Sequence, residues 1–349
     1  MAFAVETVSL TKRYRRQRPL HQMLRRQPGG ETPALTDVTI AIEEGEVFGL
    51  LGPNGSGKTT CLKLLSTILS PTSGSARIFG RDVTRDARVV RGLVALVTGD
   101  ERSLYWRLTG RQNLEFFGRL YGLDAGTLRR RTAELLDVFD LRGAGGTRVA
   151  EYSTGMKQRL AIARGLLSHP RLLFLDEPTR GLDPVAAHNL LRLVRERAVE
   201  HFQNTVILTT HIAREVEQLC RRIAILDRGV VAFQGTVGEL HASLDRRQIY
   251  RLSVKGLRAR DFDALQGRLG PERCSRIAGE NGVAEIELVL GDDAVTLSSV
   301  LRQLLSTDAD IVHCTRRERS FEETFRAVFD RRDPAGTPAD RAPLVEVQV

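Results

Sequence analysis

The chain has 349 residues, 42% hydrophobic and 27% charged, an ordinary balance for a soluble globular protein with room for two domains. Its four cysteines, Cys61, Cys220, Cys274 and Cys314, show no C-x-x-C spacing, which argues against zinc and a disulfide framework and for a reducing compartment. The N-terminus lacks an apolar signal core and no stretch approaches ~18 uninterrupted apolar residues, so no membrane span is expected; the formal charge of +9 comes from arginines spread along the chain, a generally basic surface rather than a nucleic-acid stripe.

In chain order, Phe3 to Leu10 alternates as a strand, and Tyr14 follows it. Arg15 to Ala34 is a basic insertion with Pro and Gly at its ends, read as a solvated loop, with a partner or lipid headgroups as the other reading. Val38 to Ile42 and Val47 to Leu51 are two more strands. Behind the second comes Gly52-Pro53-Asn54-Gly55-Ser56-Gly57-Lys58-Thr59-Thr60, then Cys61, Leu62, Leu64 and Leu65 on one face of a helix running to about Leu69. Strand, glycine loop, helix is the context in which G-x-x-x-x-G-K-[ST] wraps phosphate. Glycine permits close backbone approach, and the loop N–H groups and the helix dipole face the anion. Lys58 adds a mobile charge, and Thr59 offers a hydroxyl to Mg²⁺.

Ala76 to Phe79 and Leu93 to Val97 read as strands, Thr109 to Tyr121 and Ala125 to Phe139 as helices, ending in a loop with Gly143, Gly145 and Gly146. Tyr152-Ser153-Thr154-Gly155-Met156 opens a further helix with Leu160, Ile162, Ala163, Leu166 and Leu167 on its buried face; its first amides make a second anion site. Leu172 to Leu175 is a buried strand followed by Asp176 and Glu177. Such acids stand at the carboxyl edge of a parallel sheet, and beside a phosphate loop a role at Mg²⁺ fits them better than a helix cap. Asn189 to Val199 is a helix and Thr205 to Thr209 a strand; His211 follows in the register of Asp176, placed to reach a terminal phosphate. Arg214 to Cys220 is a helix, and Ile223 to Leu226 with Val230 to Phe233 a hairpin. From about Asp245 the pattern becomes that of a small α/β domain: strands at Ile249 to Val254, Val283 to Leu290 and Ile311 to Thr315, helices at Asp261 to Leu269 and Thr296 to Leu305. A helix follows at Ser320 to Phe329, capped by Ser320 and Glu323. His313 and Cys314 read as structural.

The stretch around Lys58, the run YSTGMKQRLAIARGLL, LLFLDEP, Gly181 to Asp183, and His211 stand in the order and spacing of ATP-binding-cassette ATPases, which the chain resembles from about Phe3 to Leu240. YSTGM and GDERSLYWRLTGRQNL resemble the branch that energises exporters of drugs, ions, lipids or polysaccharides. The resemblance implies an α/β P-loop fold: a parallel-sheet core, an antiparallel β-subdomain and a helical subdomain at about 100–168, within a cassette of residues 1–240. An accessory α/β domain at 245–330 resembles that branch's C-terminal extension, and the tail 331–349 is expected to be disordered.

Carried over by resemblance, Gly52 to Thr60 bind ATP, with Lys58 on the β and γ phosphates and Tyr14 stacked on adenine. Thr59 and Asp176 hold Mg²⁺, Glu177 is the general base, and His211 senses the γ phosphate. Ser153, Thr154, Gly155 and Met156 form the signature that closes over ATP on the opposite subunit of a homodimer, with Asp183 at that interface. The partner is a separate membrane permease, and the place of work is the cytoplasmic face of the membrane, peripherally. Two departures stand out. The usual L-S-G-G-Q has Tyr152, Thr154 and Met156 at its first, third and fifth positions, and the glutamine that contacts Mg²⁺ is replaced by Asp100, a carboxylate that can still ligate Mg²⁺ as a third metal-binding candidate, with Glu101 beside it. A weakly hydrolysing regulatory subunit is therefore one rival reading. A soluble cassette ATPase acting on nucleic acid or ribosomes, favoured only by the basic pI, is the other.

Overall fold

The computed structural model describes residues 2–15, 31–99, 103–244, 248–280, 282–290, 296–317 and 320–330. Asp100, Glu101, most of the basic insertion and the tail 331–349 lie outside them. The chain divides into two compact units after Val237.

In the first unit, β1 (Phe3–Arg15) and β2 (Glu31–Glu43) pair antiparallel, from Phe3 opposite Glu43 to Arg15 opposite Glu31. Both strands run past the expected Leu10 and Val38 into the ends of the insertion. The polar Thr11 hides this continuation: it is 5% exposed, and its hydroxyl accepts from Asp37 N at 3.1 Å. β3 (Val47–Leu51) is buried throughout, and α1 (Lys58–Leu65) starts at Lys58. β4 (Ser73–Ile78) and β5 (Arg81–Asp82) complete an antiparallel sheet ordered β2-β1-β4-β5.

Next come α2 (Ala87–Leu93), which the sequence reading did not include, β6 (Val94–Thr98), α3 (Gly110–Leu120), α4 (Ala125–Val138) and α5 (Thr154–Gly165). β7 (Leu172–Asp176) leads to α6 (Pro184–Leu193), which continues in wider π-helical turns over Val194–His201. α6 begins before the expected Asn189 because Asp183 caps it, accepting from Val185 N at 3.0 Å and Ala186 N at 2.9 Å, with proline in the first turn. β8 (Thr205–Thr210), α7 (Ala213–Leu219), β9 (Arg222–Asp227) and β10 (Val230–Thr236) finish the unit. The central sheet runs β10-β9-β3-β8-β7-β6, parallel except for the β9–β10 hairpin. Its inner strands β3 and β7 are covered on both faces, hence nearly all apolar. One core joins the two sheets through Val5, Leu35, Phe48, Leu62, Phe174 and Ile207. Each such side chain contributes roughly 1.5–3 kcal/mol. Cys61 belongs to this core, where burial pushes its thiol up to about 12.

In the second unit, α8 (Val237–Leu244) precedes β11 (Gln248–Lys255), α9 (Ala259–Leu269), β12 (Cys274–Glu280), β13 (Val283–Leu290), α10 (Leu297–Leu305), β14 (Asp310–Arg317) and α11 (Phe321–Asp330). The βαββαβ succession and the antiparallel order β12-β13-β11-β14 make a split-βαβ, ferredoxin-like sheet. Leu252, Val254, Ile286 and Leu288 pack from it against Leu265, Val300 and Leu304 of the helices. Ser320 and Glu323 form the expected reciprocal cap of α11, at 2.9 and 3.2 Å. Thr324, 1% exposed, bonds His241 of α8 at 3.2 Å. His313 and Cys314 stand exposed on the edge strand β14 rather than in the core.

Candidate functional site

The loop Gly52 to Thr60 is held against β2, β9 and the β9–β10 turn. A Cβ on Gly52 would meet Leu226 O at 2.3 Å, and one on Gly57, at φ 109°, would meet Ala34 O at 2.7 Å, so glycine is obligatory at both. Gly229 N donates to Ser56 O at 2.9 Å and Thr36 N to Gly229 O at 2.7 Å, tying the loop to the β9–β10 turn and to β2. Pro53, Asn54 and Gly55 are exposed, and Thr60 is half-buried on α1. Lys58 is buried, donating to Gly52 O at 2.7 Å and Pro53 O at 3.1 Å. Burial lowers its pKa, opposed by the nearby carboxylates of Glu177 and Asp176.

At the carboxyl ends of β3, β7 and β8 the expected groups converge. Thr59 Oγ1 donates to Asp176 Oδ2 at 3.0 Å, and Thr209 Oγ1 donates to Asp176 Oδ1 at 2.6 Å. Glu177 adopts φ 50°, a conformation a non-glycine residue holds only when its surroundings enforce it. They do: Glu177 N donates to Thr209 O at 3.0 Å, and a Cβ on Gly99 would meet Glu177 O at 2.3 Å. The Glu177 carboxylate turns to His211, whose Nδ1 lies 3.3 Å from Oε1. The donor set at Thr59 and Asp176 is all hard oxygen, and no cluster of three His, Cys, Asp or Glu occurs among the described residues. That suits Mg²⁺, which takes one or two protein ligands and the rest from phosphate and water.

Tyr14 stands 40% exposed on the ribbon, paired with Thr32 two residues beyond the Ala34 carbonyl that approaches Gly57, with the Lys12 ammonium 5.7 Å from its ring. Ser153 is the N-cap of α5, its hydroxyl accepting from Met156 N at 3.3 Å; Thr154 and Gly155 form the first turn. Tyr152 is 4% exposed, and its hydroxyl donates to Ala144 O at 2.6 Å. It fits because position 110 is glycine: a Cβ there would stand 2.1 Å from the phenol oxygen. Asp183 is exposed and occupied as a helix cap.

Two contributors escaped the sequence reading. Thr209 reads in the sequence as strand alone; its signal is a hydroxyl at a strand end in register with Asp176 on the neighbouring strand. Gln158, 2% exposed, donates to Gly99 O at 3.2 Å and so links the signature helix to the end of β6; its signal is a polar residue amid the buried face of a helix.

The family model described as "ABC transporter" matches residues 35–180. The daunorubicin/doxorubicin resistance ATP-binding protein DrrA of Streptomyces peucetius is 38% identical over 88% of this chain and 90% of that protein. The doxorubicin resistance ATP-binding protein DrrA of Mycobacterium tuberculosis is 44% identical over 69% of this chain and 71% of that protein. Among solved structures, cbiO1 of Clostridium perfringens, part of the transporter complex cbiONQ, superposes with TM-score 0.61 at 27% identity, over 69% of this chain and 92% of its own. A dimeric ATP-binding cassette in a post-hydrolysis state with ADP and Pi superposes with TM-score 0.56 at 26% identity, over 66% of this chain and 98% of its own.

Proposed function

Because the chain belongs to the ATP-binding-cassette transporter family, as an ATP-binding and ATP-hydrolysing subunit, we propose that it powers a complex exporting a drug-like molecule through a separate permease. The relatives' names support that cargo class, and they favour export over work on nucleic acid or ribosomes. The regulatory reading rests on Asp100 and Glu101, outside the described residues.

The observation that carries the proposal is the pairing of Thr59 with Asp176 at 3.0 Å beside that of His211 with Glu177 at 3.3 Å, next to the Lys58 cradle. Lys58 and the loop amides of Gly52 to Thr60 bind the phosphates, and Tyr14 packs on the base. Thr59 and Asp176 hold Mg²⁺, which supplies charge neutralisation at the phosphates. Glu177 accepts the proton of the attacking water, and His211 holds the γ-phosphate side of the site. Ser153, Thr154, Gly155 and Met156 close over the ATP of a second copy, with Asp183 at that seam. ATP makes contacts there only in the closed pair, so its binding shifts the equilibrium to closure.

The permease is proposed to dock where Tyr105 and Trp106, 50% and 56% exposed, line an open hollow of about 430 Å³ with Leu104, Arg107 and Leu108, the Tyr105 ring meeting Phe116 edge-on at 4.8 Å. Exposed aromatic surface of this kind marks a protein interface. Trp106 O accepts from Ala150 N at 3.0 Å and Leu108 O from Val149 N at 2.9 Å, so the surface is bonded to the segment leading into Ser153. No described helix is long and apolar enough to cross a membrane; the proposed place is peripheral, on the cytoplasmic face.

The test is co-purification of the chain with a permease and measurement of ATP turnover with and without it. Stimulated turnover that falls by roughly 10²–10⁴ in Glu177→Gln, with ATP affinity kept, is expected. Unimpaired turnover in that variant would remove Glu177 from its role, and turnover indifferent to the permease would remove the transport reading.

A further inference from the structure

Behind the Glu177–His211 pair lies a buried carboxylate that the mechanism above does not use. Glu215 on α7 is 5% exposed. One of its oxygens accepts from Thr179 Oγ1 and the other from Thr210 Oγ1, the latter at 2.6 Å. Both threonines are themselves buried, at 5% and 1% exposure. The Thr210 hydroxyl, having given its only proton to Glu215, accepts from Ile212 N at 3.0 Å. Neither partner is charged, and Glu215 forms no salt bridge among the described residues. Withdrawing a carboxylate from water on neutral hydroxyls alone is unfavourable, and an apolar side chain would fill the position with less strain on the fold. The position of the two partners shows what the carboxylate achieves.

Thr179 stands two residues after Glu177 and Thr210 immediately before His211. The turn from Glu177 is tight, with Arg180 N donating to Glu177 O at 3.1 Å and Leu182 N to Thr179 O at 3.0 Å. Thr210 ends β8, so His211 has no strand partner to hold it. We infer that Glu215 is a positioning residue: by gripping Thr179 and Thr210 together it keeps Glu177 and His211 opposed across the seam between β7 and β8. It acts through Thr179 and Thr210, the two hydroxyls it accepts from. The inference rests on the reading of Glu177 and His211 given above.

The test compares steady-state ATP turnover of the full chain as wild type, Glu215→Ala, Glu215→Gln, His211→Ala and the double variant. Misplacing a reacting group by about 1 Å costs up to roughly 100-fold. Glu215→Ala is therefore expected to lower kcat by ~10- to ~100-fold with KM for ATP within about twofold, since the phosphate loop lies on another element. Glu215→Gln, whose amide oxygen and NH₂ still bridge two hydroxyls, is expected to restore kcat to within about threefold. In the His211→Ala background the alanine at 215 should cost clearly less than it does in the wild type, because one of the two groups that Glu215 holds opposed is gone. A multiplicative double variant, normal turnover in Glu215→Ala, or a loss in kcat and KM alike that glutamine does not restore would each overturn the inference. Normal turnover in His211→Ala itself would sink the reading of His211 and the inference with it. Impaired His211→Ala beside normal Glu215→Ala would sink the inference alone. If Glu215→Ala does not fold, Thr179→Val, which cuts half of the tether and keeps the turn's shape, replaces it under the same expectations.

Discussion

Lys58 shows how far one side chain is prepared before its ligand arrives. Its ammonium already sits between Gly52 O and Pro53 O, near the carboxylates of Asp176 and Glu177. Removing it takes away a charge-assisted contact of about 1.5–3 kcal/mol. Lys58→Ala is accordingly expected to weaken ATP binding by about 10- to 150-fold in a nucleotide titration, and an unchanged Kd would refute its role. Residues such as Lys58, Asp176 and Ser153 are legible in the sequence because their signals are local: a glycine string, acids after an apolar run, a hydroxyl before a helix. Thr209, Gln158 and Glu215 are not. Each acts on a partner far away in the chain, Gln158 on Gly99 and Thr209 on Asp176, and only folding makes them neighbours.

Among the described elements, α5 is tied to several others: Ser153 caps it and Gly155 lies in its first turn, while Gln158 and Arg164 donate to Gly99 O and Ser103 O, on either side of residues 100–102. Arg164 also stacks on Phe117, 4.8 Å away, in the aromatic group of Tyr105 and Phe116. Trp106→Ala in the adjoining surface is expected to weaken permease binding by about 2 kcal/mol, some 30-fold, in a pull-down titration. Full affinity would move the docking surface elsewhere. In the second unit, Ser320→Ala removes one half of the α11 cap and should lower stability by about 1 kcal/mol in a denaturant titration. That cap is readable because S-x-x-E is a local code. β12 is hidden because its first residues carry no apolar alternation: Cys274 is buried, Ser275 and Arg276 are polar, and Ile277 is exposed. The true length of β1 is hidden because buried Thr11 looks like loop, and that of β2 because its first three residues, Glu31 to Pro33, are exposed.

For the whole molecule, closure of two copies over two ATP is the step from which work on a permease would come. A slow-hydrolysing Glu177→Gln chain is expected to sediment as a dimer with ATP and Mg²⁺ and as a monomer with ADP; a monomer under both conditions would contradict the clamp. The order of the central sheet carries a further consequence, for the chain as it is being made. β3, which presents the phosphate loop, pairs with β8 on one side and β9 on the other, and Gly229 beyond them holds Ser56. Contacts between residues so distant in sequence form slowly and late. The first-made strand of the site therefore waits for the last-made strands of its sheet, and a ribosome-bound nascent chain that has not yet exposed Gly229 has no assembled phosphate loop, hence no grip on ATP. Nucleotide binding is thus a property this protein acquires only near the end of the cassette's synthesis, when the aromatic surface around Trp106 has long since left the ribosome.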